Sequence, residues 1–208
     1  MRAEDLANTP PVATLVRRRA VDALVTSGLA ERAVQAGEEA PTFRLRDGNG
    51  RVFSSRDAVL RGPVVLAFYR GRWCPYCTVD LRAIESASHD IRRLGASLVV
   101  ISQQTPENSL ETQKLNGLSF GSLVDPGGKV AHAFGLRWKV PDDLRAVELD
   151  SGLDLSVFNG DPSWTLTMPA RYVVARDGTI EYADISPDYT QRGDPSELFP
   201  VLAHLAAH

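Results

Sequence analysis

The sequence predicts an α/β fold, a central mixed β-sheet flanked by helices, with a helical extension at the N-terminus. Three observations carry this. Two continuous apolar runs of strand length, PVVLAFY at 63–69 and SLVVIS at 97–102, bracket a helical pattern. Such runs suit strands covered on both faces, and the unit they form is a β-α-β with a right-handed crossover. Second, TFRLRDGNGRVFS and ARYVVARDGTIEYAD each join two strand-like halves through a turn, Asp47-Gly48-Asn49-Gly50 in one and Arg176-Asp177-Gly178 in the other. Both read as antiparallel hairpins. Third, apolar residues recur at helical spacing from about Val12 to Gln35, where Gly37 and Pro41 end the pattern.

The remaining elements follow in chain order. Cys77, Leu81, Ile84, Ser88 and Ile91 step by helical intervals and Gly95 closes the run, which predicts a helix over about 75–94. Another helix is expected at about 106–116, a short strand at 122–124 and a helix at 128–134. Residues 136–164 have poor periodicity and scattered Asp, Gly and Pro, and read as an inserted loop or short helices over the site. From Pro195 to Ala207 a last helix carries Leu198, Val201, Leu202 and Leu205 on one face. We therefore divide the chain into a helical extension, 1–36, and one domain, 37–208.

Composition narrows the function. With 208 residues, 43% of them hydrophobic, the chain can fill one sizeable core. A formal charge of -3 offers no reason to expect nucleic acid or an anionic membrane as partner. The run Arg17-Arg18-Arg19 reads as the solvated face of the first helix. The first residues, MRAEDLANTPP, lack an apolar export segment, and no apolar stretch approaches the roughly 18 residues of a membrane span. A cytoplasmic location is the expectation.

The chemistry concentrates in RGRWCPYCTVDL, 70–81, which holds both cysteines of the chain. In a reducing compartment such a pair is rarely a structural staple, and its loop is too short to constrain the unfolded chain much. No second cluster of cysteine or histidine accompanies it to complete the about four ligands of a zinc site, so no metal is expected. A redox pair is the reading that remains. The strand ends at Tyr69 and the helix starts near Pro75, whose missing N–H suits the first helical position. Cys74 therefore stands at the helix N-terminus, where unpaired N–H groups and the helix dipole stabilise a thiolate. Cys77, one turn further on the apolar stripe, is expected to be the more buried and to form or resolve the disulfide. Met168-Pro169, just before ARYVVA, stands where a cis-proline would bring backbone beside the cysteines; an ordinary loop proline is the other reading.

These residues resemble the thioredoxin fold and, within it, the peroxiredoxin-like AhpC/TSA family. The resemblance runs from Gly37-Glu38-Glu39-Ala40-Pro41-Thr42-Phe43 through VVLAFYRGRWCPYC, LVVISQQTPE and SLVDPGGKVAHAFGL to PARYVVARDGTIEYADISPDY. CPYC alone also matches glutaredoxins, whose shorter chains lack the rest. Peroxiredoxins carry Pro-x-x-x-Thr-x-x-Cys; here Arg70 replaces the proline, Cys74 the threonine, and Cys77 takes the peroxidatic place. Their peroxide-polarising arginine falls on Pro169, counted back from Tyr172. Arg70, Arg72 or Arg171 are candidates to supply that cation, although we favour plain surface charge for each. Trp73 is expected to cover the pair as in thioredoxins, packing alone being its other role.

Family position thus favours Cys77 as the attacking sulfur, and helix-end stabilisation with greater exposure favours Cys74, which we prefer. The resemblance implies reduction of hydroperoxides through a reversible Cys74–Cys77 disulfide, with disulfide exchange as the alternative and a non-enzymatic redox sensor as a further one. Either cycle needs a thioredoxin- or glutaredoxin-type reductant. No glycine-rich phosphate loop occurs, so no cofactor is implied, and a homodimer through the N-terminal helix stays open. His89, His132, His204 and His208 read as surface or packing residues.

Overall fold

The N-terminal apolar pattern, expected as one helix from Val12 to Gln35, folds as two. The structure, a computed structural model, describes residues 11–207. Helix α1 (Pro11–Thr26) and the short α2 (Leu29–Arg32) are separated at Gly28, whose φ of 68° turns the chain. The Ser27 hydroxyl donates to the Leu24 carbonyl and accepts from the Leu29 N–H, so the break is hydrogen-bonded rather than frayed. The absence of an export segment in residues 1–10, and His208, lie outside the described residues.

The first hairpin forms as expected from β1 (Arg44–Asp47) and β2 (Val52–Ser54), paired antiparallel. Asp47 accepts from the Asn49 and Arg51 N–H groups with one carboxylate oxygen, which closes the turn. Ser54 then caps α3 (Ser55–Val59). The β-α-β unit follows as β3 (Val64–Phe68), α4 (Pro75–Arg93) and β4 (Ser97–Ser102), with β3 and β4 parallel and Leu66 opposite Val99. Next come α5 (Pro106–Asn116), capped by Thr105, then β5 (Gly121–Val124) and α6 (Lys129–Ala133).

The segment 136–164 carries more order than its periodicity indicates. It contains β6 (Arg137–Lys139), α7 (Asp142–Asp150) and α8 (Leu155–Asn159), and β6 pairs with β7 (Thr165–Thr167) in a separate two-stranded sheet. The second expected hairpin is β8 (Ala170–Val174) with β9 (Ile180–Ile185), and the chain ends in α9 (Leu198–Ala206) after a single 3-10 turn.

The main sheet has seven strands in the order β2-β1-β5-β4-β3-β8-β9. Its centre is parallel, β3 beside β4 beside β5, and β8 runs antiparallel to β3. Every residue of β3 is buried, and the strand's two-residue period sends alternate side chains to opposite faces. Val64, Leu66 and Phe68 join the core beneath α2, α3 and α6, with Phe134 and Tyr172. Val65, Ala67 and Tyr69 join the other, with Leu81, Ile84 and Ile91 of α4 and Leu198 and Leu202 of α9. Each such aliphatic side chain contributes about 1.5–3 kcal/mol of burial, which seats α4 on the sheet and directs its N-terminus to the end of β3.

A third, smaller core ties the insertion to the extension. Ala20 and Val16 of α1 pack with Val140, Leu144, Leu155, Trp164 and Leu166, and Trp73 touches both this cluster and the core under α4. Arg17 is not part of a solvated face: it makes two hydrogen bonds to the Glu148 carboxylate of α7, at 3.1 and 2.9 Å, and a third to Ser151. Arg18 and Arg19 are exposed as expected. Among the described residues no helix is long and apolar enough to cross a membrane.

Candidate active site

The chain leaves β3 at Tyr69 and reaches α4 through 70–74, a loop held from below by a buried polar network. Gln104 accepts from the Arg72 N–H at 2.7 Å and donates to the Tyr69 hydroxyl, Ser102 and Thr112. Tyr69 in turn bonds Ser122 at 3.0 Å. Gln104 is fully buried, and the network fixes the loop without exposing it. Gly71, at φ 151°, lies so close under the Trp73 indole that a Cβ there would meet Nε1 at 2.5 Å.

Cys74 is the N-cap of α4 and Pro75 its first residue, as the sequence predicts. Both cysteines are reduced, and both are buried to 1% exposure. The expectation that Cys74 is the more exposed is therefore corrected: its side chain lies in the core under α4, against which Trp73 packs. Their acidities still diverge. The Cys77 side chain donates a hydrogen bond to the Cys74 sulfur, and that bond pulls the Cys74 thiol down to about 6 against the opposing cost of burial, with the Arg70 charge and the Cys77 backbone N–H adding to it. The same hydrogen bond, followed by burial, pushes Cys77 well up from the ordinary thiol range, with Arg192 opposing. The depressed pKa thus falls on Cys74 and the raised one on Cys77.

Arg70 and Arg171 are buried, at 5% and 2% exposure, which corrects the surface reading for both. The Arg70 guanidinium lies between two rings, 3.7 Å from the Tyr189 centroid and 4.6 Å from that of Trp73, and its Nη1 is 3.9 Å from the Cys74 sulfur. Stacking compensates the lost hydration of a guanidinium better than that of an ammonium, so the charge can be kept inside. Arg171 pairs instead with Asp80 on α4 at 2.6 Å. Arg72 is the one of the three that remains partly exposed, paired with Glu111 at 3.1 Å and Asn108 at 2.9 Å.

Pro169 is buried at the head of β8, but its peptide bond is trans. Among the described residues there is no cis peptide, so the cis-proline expectation is overturned. The chain passes from β7 through Met168 and Pro169 into β8 without reversing, Met168 N–H bonded to Leu136 and the Pro169 carbonyl to the Ser186 N–H. His89 and His132 are exposed, and so is His204. Sequence reasoning missed Arg192, Tyr189, Asp80 and Gln104. Among the described residues no group of three His, Cys, Asp or Glu side chains is arranged to hold a metal.

The sequence pattern of the AhpC/TSA family matches residues 36–183, from the end of the helical extension to β9. The chain belongs to the AhpC/TSA family. It is 30% identical over 151 residues to the chloroplastic peroxiredoxin Q of Oryza sativa subsp. japonica, covering 72% of this chain and 58% of that one. It is also 30% identical over 106 residues to the thiol-disulfide oxidoreductase ResA of Halalkalibacterium halodurans, over 50% of this chain and 58% of the relative. The chain thus spans somewhat over half the length of these relatives. Among solved structures, the peroxidoxin BcpB of Mycobacterium tuberculosis superposes with a TM-score of 0.64 over 84% of this chain and 97% of that one, at 19% identity. The fold is that of the thioredoxin-like peroxiredoxins, with α1 and α2 ahead of the family region.

Proposed function

We propose that this protein is a thiol-dependent peroxidase in which Cys74 attacks hydroperoxide and Cys77 resolves the product. The observation that carries the proposal is the Cys74 thiolate, pulled down to about 6 and lying 3.9 Å from a buried guanidinium. The thiolate is the reactive form of cysteine. It attacks the terminal peroxide oxygen, the O–O bond breaks, and the alkoxide or hydroxide leaves, taking a proton from solvent to become alcohol or water. Cys74 is now a sulfenic acid; Cys77 releases its proton to solvent and attacks the Cys74 sulfur, the disulfide forms, and the hydroxyl leaves, taking a proton from solvent to become water. Arg70 takes the place of the cation that the family pattern would put at Pro169: it offsets the negative charge on the peroxide oxygens while the bond breaks. A thioredoxin- or glutaredoxin-type dithiol, in the cytoplasm, returns the pair to the reduced state. In this reading the unit 37–208 carries the chemistry and the extension through residue 36 serves as part of its cover.

The test is rapid mixing of reduced protein with one equivalent of hydrogen peroxide, following Trp73 fluorescence and remaining thiols. A second-order rate far above that of an ordinary thiolate, with both thiols lost, supports the proposal. Loss of the fast phase in Cys74→Ser but not in Cys77→Ser assigns the attack; the reverse result returns it to Cys77. A rate no faster than a simple thiolate sinks the peroxidase reading. The second reading is disulfide exchange, favoured by a C-x-x-C in place of the family's threonine and cysteine and by a proline at 169, and supported by the similarity to ResA. Reduction of a protein disulfide in proportion to added reductant, with no fast peroxide phase, would establish it, whereas a single oxidation without turnover would mark a sensor.

A further inference from the structure

A different guanidinium lies against each cysteine sulfur. The Arg192 Nη2 lies 4.0 Å from the Cys77 sulfur, as Arg70 lies 3.9 Å from that of Cys74. Arg192 comes from the loop between β9 and α9, 115 residues away from Cys77 in sequence. The same loop supplies Tyr189, which stacks on Arg70, so one segment after β9 touches both halves of the pair.

The position of Arg192 is built, not incidental. Its Nε faces Asp80 at 3.7 Å, and the Asp80 carboxylate also takes the Arg171 guanidinium at 2.6 Å. Arg171 in addition donates to the carbonyl of Gly193, the residue after Arg192, at 3.0 Å, and the Gly193 N–H is held by Asp184 at 3.1 Å. The side chains of Arg192, Asp80 and Arg171 are exposed by only 12%, 11% and 3%. Asp80 is one helical turn beyond Cys77 on α4, so the anchor and the thiol belong to the same rigid element.

We propose that Arg192 drives the second step of the cycle, stabilising the negative charge that develops on Cys77 as it attacks the oxidised Cys74, and that Asp80 and Arg171 are positioning residues that hold it there. The need is evident from the pair itself. While Cys74 is a thiolate, the Cys77 proton is retained in a hydrogen bond to it. Once Cys74 is bonded to an oxidant that acceptor charge is gone, the proton departs to solvent, and the only cation touching the Cys77 sulfur among the described residues is Arg192. A charge placed where the transition state develops its own acts on that step alone. Arg70 serves the first attack and Arg192 the second.

The inference rests on the assignment of Cys74 as attacking thiol, and not on peroxide as substrate, so it is tested with an aromatic disulfide, dithiobis(nitrobenzoate), in slight excess over the reduced full-length protein. Cys74 attacks, its bond to one half of the probe forms, and the first coloured thiolate leaves. Cys77 then attacks Cys74, the Cys74–Cys77 disulfide forms, and the second coloured thiolate leaves. In Arg192→Met and Arg192→Gln the first release should stay within about twofold of native and the second slow by about tenfold or more. Arg192→Lys, which keeps the charge, should recover most of the loss, a rescue that a merely structural role would not show. Circular dichroism identifies which variants are folded, and either neutral variant suffices. A second release at the native rate in a folded neutral variant overturns the proposal, as does equal slowing of both phases without recovery by lysine. Absence of a first release in the native protein, or its persistence in Cys74→Ser, overturns instead the assignment of Cys74 on which the inference rests.

Discussion

Arg70→Met removes the charge beside Cys74 while keeping a chain long enough to lie between Tyr189 and Trp73. Two unit charges about 4 Å apart interact by about 4 kcal/mol at an effective dielectric of about 20, and the guanidinium stands 3.9 Å from the sulfur. At 1.36 kcal/mol per unit, that sets a ceiling of about three units on the rise. The Cys77 hydrogen bond, the largest influence on Cys74, is left in place, so we expect the thiol to move from about 6 to between about 7 and 9. At the upper end the thiolate fraction at pH 7 falls from about nine-tenths to about one-hundredth. A more basic thiolate is also more nucleophilic, by about 0.4–0.5 decades per unit, which returns about 20-fold of the loss. The variant should then attack a small neutral disulfide several-fold more slowly than native at pH 7, and faster than native above about pH 8. The assay is the pH dependence of the first attack, read by mass for modification of Cys74. A midpoint that moves by less than about half a unit, or a rate depressed equally at every pH, would refute the reasoning.

In the native protein the first attack should be half its plateau near pH 6 and about a tenth near pH 5, because acid protonates a thiolate whose pKa is depressed to about 6; a midpoint in the ordinary thiol range, read from the same rates, would show that Cys74 is not the activated sulfur. Glu148→Ala deletes the acceptor of two charge-assisted hydrogen bonds from Arg17 and should loosen α1 locally by about 2–3 kcal/mol. Hydrogen exchange in α1 reads this directly, and unchanged protection there with native α4 would show that Arg17 does not anchor the extension. Gly71→Ala puts a Cβ at 2.5 Å from the Trp73 indole nitrogen, in a backbone region that suits glycine, at a cost of about 1–3 kcal/mol. Trp73 should be displaced, and indole emission identical to native would refute the close approach.

Much of the site's scaffold is legible locally. Pro75 after Cys74, an apolar run before and a stripe of Leu81, Ile84 and Ile91 after are enough to place a cysteine at a helix N-terminus, because strand and helix periods and capping depend on near neighbours. The hairpins and the last helix follow from the same short-range rules. Other readings failed where those rules end. The first helix breaks at Gly28 because the chain must turn to seat Leu24 and Ala33 on the sheet, a demand that the helical spacing itself does not express. Arg70 and Arg171 look like surface charges because arginine usually is one, and only stacking partners and a carboxylate brought from other elements make their burial sustainable. Pro169 is trans and leads from β7, paired with β6, into β8 of the main sheet, a placement that the Met-Pro pair does not express.

The sequence by itself determined the α/β architecture, the family, and the placement of a C-x-x-C pair at a strand-to-helix junction, since each is encoded within a few residues or a short repeat. What only the tertiary structure decided is how the two sulfurs differ. That Tyr189 stacks on Arg70 and that Arg192 reaches Cys77 from the far end of the domain both depend on β8 and β9 following β3 in the sheet. Charges act through a few ångströms of space, and the chain brings these together only after the sheet has closed its order.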